Sequence, residues 1–547
     1  MELRDQFYRE FLRELSAVDD YLGQRAGERG SAHGPIDAAD PDVRRLLEAM
    51  SFFAARTRQL TVERFDQSVH RLARGHLDEL LVPQPMRCLM QATPNARLVE
   101  PTYLPRGADV RVTSADNAVG RFTTMHGLML WPISVVSANL GLRAGSGYRL
   151  LIELKAQVPL RTLDAPLRFH IDYLRDYPLS SLFGFALRKH VERAFVSYDE
   201  APGREDAGAS CELTFGAPAP LAAEAHAHPI SDIRTFFHFP QLENFFEVTL
   251  AGDGRPWRRA WIGFDLDDGW PTDITVNRDV FHLFVVPIEN LRRDSAEPIL
   301  YDGTQSQIPL RAPATHPDDE LRSVAAVYEE DPGGLQPIPP AHLAIGSEAY
   351  EVETFGSTPE TAEHYLKLQL PGAFENPRKV VVDAAWHQPW FERHAVGQLG
   401  VSLQTRRIEG VRWGLRGAMM SPTVSELWGQ PFAQLELLSL KSKPVLTRNE
   451  LIYLMRVLGA ADHAAFRGID DLIAEVRVSE EPTEGAGATI GYVYELSLKS
   501  FDEGRRAAVF HYLSRMWALL ESWSPTPARL QVSSDVSARE PLLMRKP

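Results

Sequence analysis

The 547-residue chain is too long for one hydrophobic core, and at roughly 150 residues per domain it predicts three or four compact units. Hydrophobic residues at 44% and charged residues at 24% are ordinary globular values, while 39 prolines and 37 glycines predict short, punctuated elements of both α and β type. A net charge of −15 argues against nucleic-acid backbones and anionic membranes as main partners, and the two distant cysteines, Cys88 and Cys211, provide neither a disulfide framework nor a metal cluster, which fits a reducing cytoplasm.

The opening Met1-Glu2-Leu3-Arg4-Asp5 lacks the basic-then-apolar order of a secretory signal. Leu3, Phe7, Phe11, Leu15, Val18 and Leu22 recur at three- and four-residue steps, predicting a first helix with one apolar stripe that ends at the glycine-rich stretch 23–34. Asp40 is a candidate N-cap with Pro41 behind it, and Val43, Leu46, Leu47, Met50 and Phe53 predict a second helix. The same periodicity runs through Phe65, Val69, Leu72, Leu77 and Leu80 and stops before Pro83 and Pro85. Residues 1–85 are therefore expected to form a helical unit.

From residue 86 the chain turns to short runs of Val, Thr, Leu and aromatics between Pro, Gly and Asp, as strands require. The apolar window 128–142 is broken by Pro132 and shorter than the roughly 20 residues that span a bilayer, so β structure is expected there. A strand at 167–171 precedes a helix carrying Leu179, Leu182, Phe183, Ala186, Leu187 and His190. Stretches 197–230 and 309–340 read as connections, dividing a β-rich region 86–335, with two subdomains split near 197–230, from a C-terminal α+β domain 336–547. There a strand is expected at 379–384, helices at 448–458 and 504–523, and a flexible hairpin loop at 480–491. The predicted class is α+β, multidomain.

Chemistry is mostly absent. No phosphate-cradling loop or nucleophile elbow is present, and Gly485, Gly487 and Gly491 have the wrong spacing for a nucleotide loop. His226 and His228, with His238, could in principle share a metal, as could His387 and His394 near Trp386 and Trp390, but no ligand motif surrounds either set, and isolated structural histidines are the favoured reading. Asp265, Asp267, Asp268 and Gly269 read as a hairpin turn rather than a calcium loop, and Asp318, Asp319 and Glu320 as a solvated loop or a helix start. The aromatic stretch 236–248 holds five phenylalanines in thirteen residues, meaning heavy burial in either a core or an obligate interface. No catalytic residue, metal or cofactor is assigned; a β-rich hydrolase or carbohydrate-binding protein is the distant alternative.

Several segments in order resemble the TssF family of type VI secretion. They are Glu2-Leu3-Arg4 with Tyr8 and 10–15, Asp40-Pro41-Asp42-Val43 through Glu48, and Phe52-Phe53-Ala54-Ala55-Arg56; then Arg121-Phe122-Thr123-Thr124, Leu130-Trp131-Pro132-Ile133 and Leu167-Arg168-Phe169-His170-Ile171. The aromatic stretch follows, and the most specific likeness is Phe281-His282-Leu283-Phe284-Val285-Val286-Pro287-Ile288-Glu289-Asn290-Leu291, with Glu297-Pro298-Ile299 and Glu320-Leu321-Arg322-Ser323-Val324 beyond. Trp428, Leu435, 438–440 and Gly468-Ile469 extend it weakly. The chain departs from the family at Val352-Glu353-Thr354-Phe355 and at Lys441, marking a divergent member.

The resemblance implies a baseplate wedge without catalysis, in which two TssF copies pair with one TssG and their helices share a bundle. It further implies TssK adaptors, the spike protein VgrG, TssE and the sheath as partners, a place at the cytoplasmic face of the inner membrane, and, as the alternative, the equivalent wedge of a contractile phage tail. The stripe seeking a partner is expected at Leu3, Phe7, Phe11, Leu15, Val43, Leu47 and Phe53.

Overall fold

The computed structural model describes residues 2–27, 40–143, 145–203, 208–216, 228–252, 254–356, 362–482, 490–524 and 527–534. The helices described are α1 (Glu2–Gly27), α2 (Pro41–Leu81), α3 (Tyr177–His190), α4 (Pro229–His238), α5 (Pro431–Lys441), α6 (Arg448–Val457) and α7 (Arg506–Trp523). Two compact units divide the chain: Met1–Asp78 with Gly429–Leu438, and Glu79–Trp428 with Ser439–Pro547.

The first unit is helical. Asp40 caps α2 as its position predicts: Oδ1 accepts the Asp42 N–H at 2.9 Å and the carbonyl accepts the Arg44 N–H at 2.9 Å, with Pro41 where a missing N–H is harmless. The two apolar runs read from the sequence form one helix of 41 residues, interrupted only by the non-helical backbone of Leu77 (φ −136°, ψ 26°), two residues after Gly75. Helix α1 runs past Gly23 to Gly27 because Gln24, Arg25 and Ala26 are good helix formers that offset one glycine, worth about 1 kcal/mol. Arg58 on α2 bonds Glu14 on α1 at 3.1 Å and lies 3.6 Å from Glu10. The start of α5 completes this unit: Phe432 meets Phe65 at a ring distance of 6.3 Å, and the Gln434 amide donates to His70 Nδ1 at 3.3 Å.

The second unit is dominated by sheets. One six-stranded antiparallel sheet runs in the spatial order Gly400–Leu403, Asp109–Thr113, Val119–Thr124, Val285–Glu289, Arg87–Pro94, Val411–Met420, and its two edge strands approach each other, so the sheet curls toward closure. A five-stranded sheet centred on Trp257–Leu266 and Tyr148–Leu160 and a four-stranded sheet centred on Phe245–Thr249 and Leu167–Ile171 share one large apolar core with it. The window at 128–142 is β structure, in strands Leu128–Leu130 and Ile133–Leu142.

One bend joins two of these sheets. Strand Phe281–Leu283 belongs to the four-stranded sheet and Val285–Glu289 to the six-stranded one, and between them Phe284 sits at φ 57°. A non-glycine residue there costs roughly 1–2 kcal/mol, which the burial of the Phe284 ring and the bond from the Ala92 N–H to its carbonyl at 3.0 Å offset.

Residues 292–387 build a smaller β lobe with its own core around Val327, Leu366, Val380 and Trp386, from a sheet centred on Arg378–His387 and a three-stranded sheet Ile308–Pro309, Glu363–Gln369, Ala349–Phe355. At the C-terminus, Ile473–Pro482 pairs antiparallel with Ile490–Leu498, so the predicted hairpin is present, although its loop at 483–489 lies outside the described residues. Helix α7 then crosses over to Ala528–Ser534, parallel to Ile490–Leu498. Helices α3, α6 and α7 lie where the spacing predicts, whereas α4 and α5 were not anticipated.

Candidate interaction surface

Helix α2 carries two apolar stripes, not one. Val43 and Leu47 are half-buried and continue into the buried Ser51 and Ala55 at steps of four. Roughly a third of a turn round the helix lie Leu46, Met50, Phe53 and Leu60, exposed to 61%, 58%, 67% and 38%. Together with Thr57 and Arg64 these keep the alternating four-three spacing of a coiled-coil seam over two heptads. A hydrogen-bonded rim tracks one side, from Arg56 to Gln59 Oε1 at 3.1 Å and from the Gln59 amide to Glu63 Oε1 at 2.9 Å. Of the residues expected to seek a partner, Phe53 is exposed, Phe11, Leu15, Val43 and Leu47 are half-buried, and the side chains of Leu3 and Phe7 lie outside the described residues. Leu46, Met50 and Leu60 were missed as surface residues, although their four-three register was available in the sequence.

Within the second unit, the carbonyls at the C-terminal end of α2 are held by the buried Arg234 and the half-buried Arg322. Arg234 on α4 donates to the carbonyls of Glu79 at 2.5 Å and Val82 at 2.7 Å, and Arg322 donates to that of Pro83 at 2.9 Å, satisfying acceptors that a helix end leaves open. Beside them the buried Arg87 donates to Gln84 Oε1 at 2.7 Å and His238 Nδ1 at 3.0 Å, and pairs with Glu289 at 3.2 Å. Burial pushes the guanidinium of Arg87 down to about 10, as it does that of Arg234, so both stay charged at neutral pH. Because Arg87 can only donate, His238 accepts through Nδ1 and gives its Nε2 proton to the Ser421 carbonyl at 2.7 Å. Burial and then the Arg87 charge push His238 down to about 3.

These contacts account for the histidines and carboxylates that could have carried chemistry. His228 accepts the Ile230 N–H at 3.2 Å as the N-cap of α4, at the opposite end of that helix from His238, and His226 lies outside the described residues. His387 is buried and pushed down to about 3, chiefly by burial, while His394 bonds Asp116 at 2.6 Å. Asp265 forms a buried two-point pair with Arg149 at 2.7 and 3.3 Å. Asp267 accepts the Gly269 N–H and bonds His190, each at 2.7 Å. The turn at Asp267–Gly269 is not a hairpin, since the strands on either side, Trp257–Leu266 and Phe281–Leu283, belong to different sheets. Among the described residues no group of histidine, cysteine or carboxylate side chains could hold a metal ion, and no helix is long and apolar enough to cross a membrane.

The aromatic stretch is core. Phe236, Phe237, Phe239, Phe245 and Phe246 are all at most 2% exposed. Phe236 and Phe237 each meet Phe466 at 5.3 Å, and Phe246 stacks on Phe169 at 5.0 Å.

The sequence profile of the family described as Type VI secretion system, TssF, matches residues 24–353, more than half of the chain. The chain belongs to the TssF family. TssF is a structural component of the secretion machine, not an enzyme. The type VI secretion system component TssF1 of Pseudomonas aeruginosa is 27% identical over 191 residues, 34% of this chain. That alignment spans only 29% of the relative's own length. The fold is shared with a chain in a cryo-electron-microscopy structure of the type VI TssK-TssF-TssG baseplate subcomplex, at a TM-score of 0.70 and 18% identity, covering 90% of this chain and 96% of that one. A chain of the type VI secretion baseplate complex matches at a TM-score of 0.59 and 17% identity, with 96% of each covered.

Proposed function

We propose that this TssF-family chain is a wedge subunit of a type VI secretion baseplate, in which two copies join one TssG-family protein through their helical units. The observation that carries this reading is the exposed seam Leu46, Met50, Phe53, Leu60: apolar side chains in heptad register remain in water unless another helix buries them. Phe11, Leu15, Val43 and Leu47, each half-exposed, add apolar surface in the same helical unit. Likeness to a chain of the TssK-TssF-TssG subcomplex supports contacts to TssG- and TssK-family proteins. Within the same reading, TssE, the VgrG spike and the sheath are further neighbours, and the assembly sits at the cytoplasmic face of the inner membrane.

Co-expression with a TssG-family protein from the same gene cluster, followed by size-exclusion chromatography with light scattering, tests the proposal. A stable two-to-one species is expected. Two separate, folded proteins would contradict it.

A further inference from the structure

The β lobe at 292–387 holds 16 acidic and 7 basic residues, so −9 of the chain's net −15 lies in it. No lysine or arginine occurs between Arg322 and Lys367, a stretch with eight aspartates and glutamates. Cations on nearby strands balance part of this: Arg378 pairs with Glu329, Lys379 with Glu330 at 2.6 Å, and Lys367 with Glu353 at 3.8 Å. The lobe stays strongly negative.

In the middle of that stretch the chain leaves edge strand Gly334–Ile338 through Pro339 and Pro340, loops out, and returns as edge strand Ala349–Phe355. Backbone bonds pin the base of the loop: Ala341 N–H to the Tyr350 carbonyl at 2.8 Å, Tyr350 N–H to that of Pro339 at 3.0 Å, and Leu343 N–H to that of Pro340 at 2.9 Å. On this pinned loop Ile345 is fully exposed and Leu343 is 66% exposed, with Leu335 at 52% on the adjoining edge strand. Large aliphatics held outward by a closed loop have the form of an anchor that fills a pocket elsewhere.

We infer that the 341–348 loop docks into a partner protein whose receiving surface is apolar at its centre and basic at its rim. Charge selects this occupant. A second copy would bring an equally negative lobe, and a phosphate-bearing membrane or nucleic acid would be repelled in the same way, whereas a basic rim is drawn in and oriented. The inference rests on the wedge reading only in taking the partner to be another component of the same machine.

The test places a photo-crosslinking amino acid at Ile345 in one variant and at Phe53 in another, in cells carrying the complete secretion machine. Capture at Phe53 reports on the wedge, and capture at Ile345 reports on the loop. The expected result is one protein other than this chain captured at Ile345, which when purified binds the intact chain. That binding should weaken about tenfold or more on joint Leu343→Ser and Ile345→Ser substitution, and again on Glu348→Lys with Glu351→Lys. It should also weaken as salt rises from about 0.1 M to about 1 M. Because all four side chains are on the surface or half-buried, unchanged melting of the variants will show that folding is intact. Capture at Phe53 with none at Ile345, capture of a second copy at Ile345, or binding indifferent to salt and charge reversal would each overturn the inference and leave the wedge reading standing. Failure at both positions would overturn both.

Discussion

The helical first unit and the sheet-built second unit use their large apolar residues in opposite ways. The second unit hides five phenylalanines between residues 236 and 246 almost completely, in contact with rings from distant strands and helices. The first unit leaves Leu46, Met50 and Phe53 more than half exposed along one helix face. Aromatic density therefore marks where this chain closes on itself, and a modest second stripe on an ordinary amphipathic helix marks where it stays open. A helix has room for two stripes; a strand between two sheets has no second face to offer.

The largest effect is expected from charging the open stripe. Leu46→Glu, Phe53→Glu and Leu60→Glu together should abolish complex formation with a TssG-family partner in light scattering while leaving the melting of the β-rich unit unchanged. Phe246→Ala should do the reverse, destabilising the second unit by about 3–5 kcal/mol in urea unfolding through the cavity left against Phe169 and Phe281, with binding by the helical unit retained in the folded fraction.

Acid should weaken both units more gently. His238 and His387 in the second unit are held down to about 3 by burial, against an ordinary value of 6.5. Between those values the unfolded chain takes up protons that the folded chain refuses, so stability contributed above pH 6.5 is lost as pH falls toward 3. The urea midpoint of the second unit should accordingly be lower at about pH 5 than at about pH 7.5. In the first unit His70, held down to about 4 by burial and then by Arg74, acts in the same direction, and His70→Gln should flatten that unit's pH dependence alone. The smallest effect is expected from Asp40→Ala, which removes the α2 cap and should cost about 1 kcal/mol of helix stability, read as increased amide exchange in the first turns of α2.

Much of this was legible in the sequence wherever local rules decide it. The Asp40-Pro41 cap, the α3 and α7 periodicities and the ordered family segments all depend on residues close together in the chain. What stayed hidden depends on distant residues. Nothing local shows that Val411–Met420 pairs with Arg87–Pro94, or that α4 opens the aromatic stretch, since its phenylalanines fit a buried strand equally well until Phe466 and Tyr512 arrive from elsewhere. The open stripe is an intermediate case: its four-three spacing was readable, but only the structure separates it from the neighbouring half-buried Val43 and Leu47.

Hydrogen–deuterium exchange, comparing the chain alone with the chain in complex with a TssG-family protein, distinguishes the open stripe from the closed core. Peptides covering residues 46–60 are expected to gain strong protection in the complex while those covering 236–248 are protected equally in both. No gain at 46–60, or protection at 236–248 that appears only on binding, would contradict it.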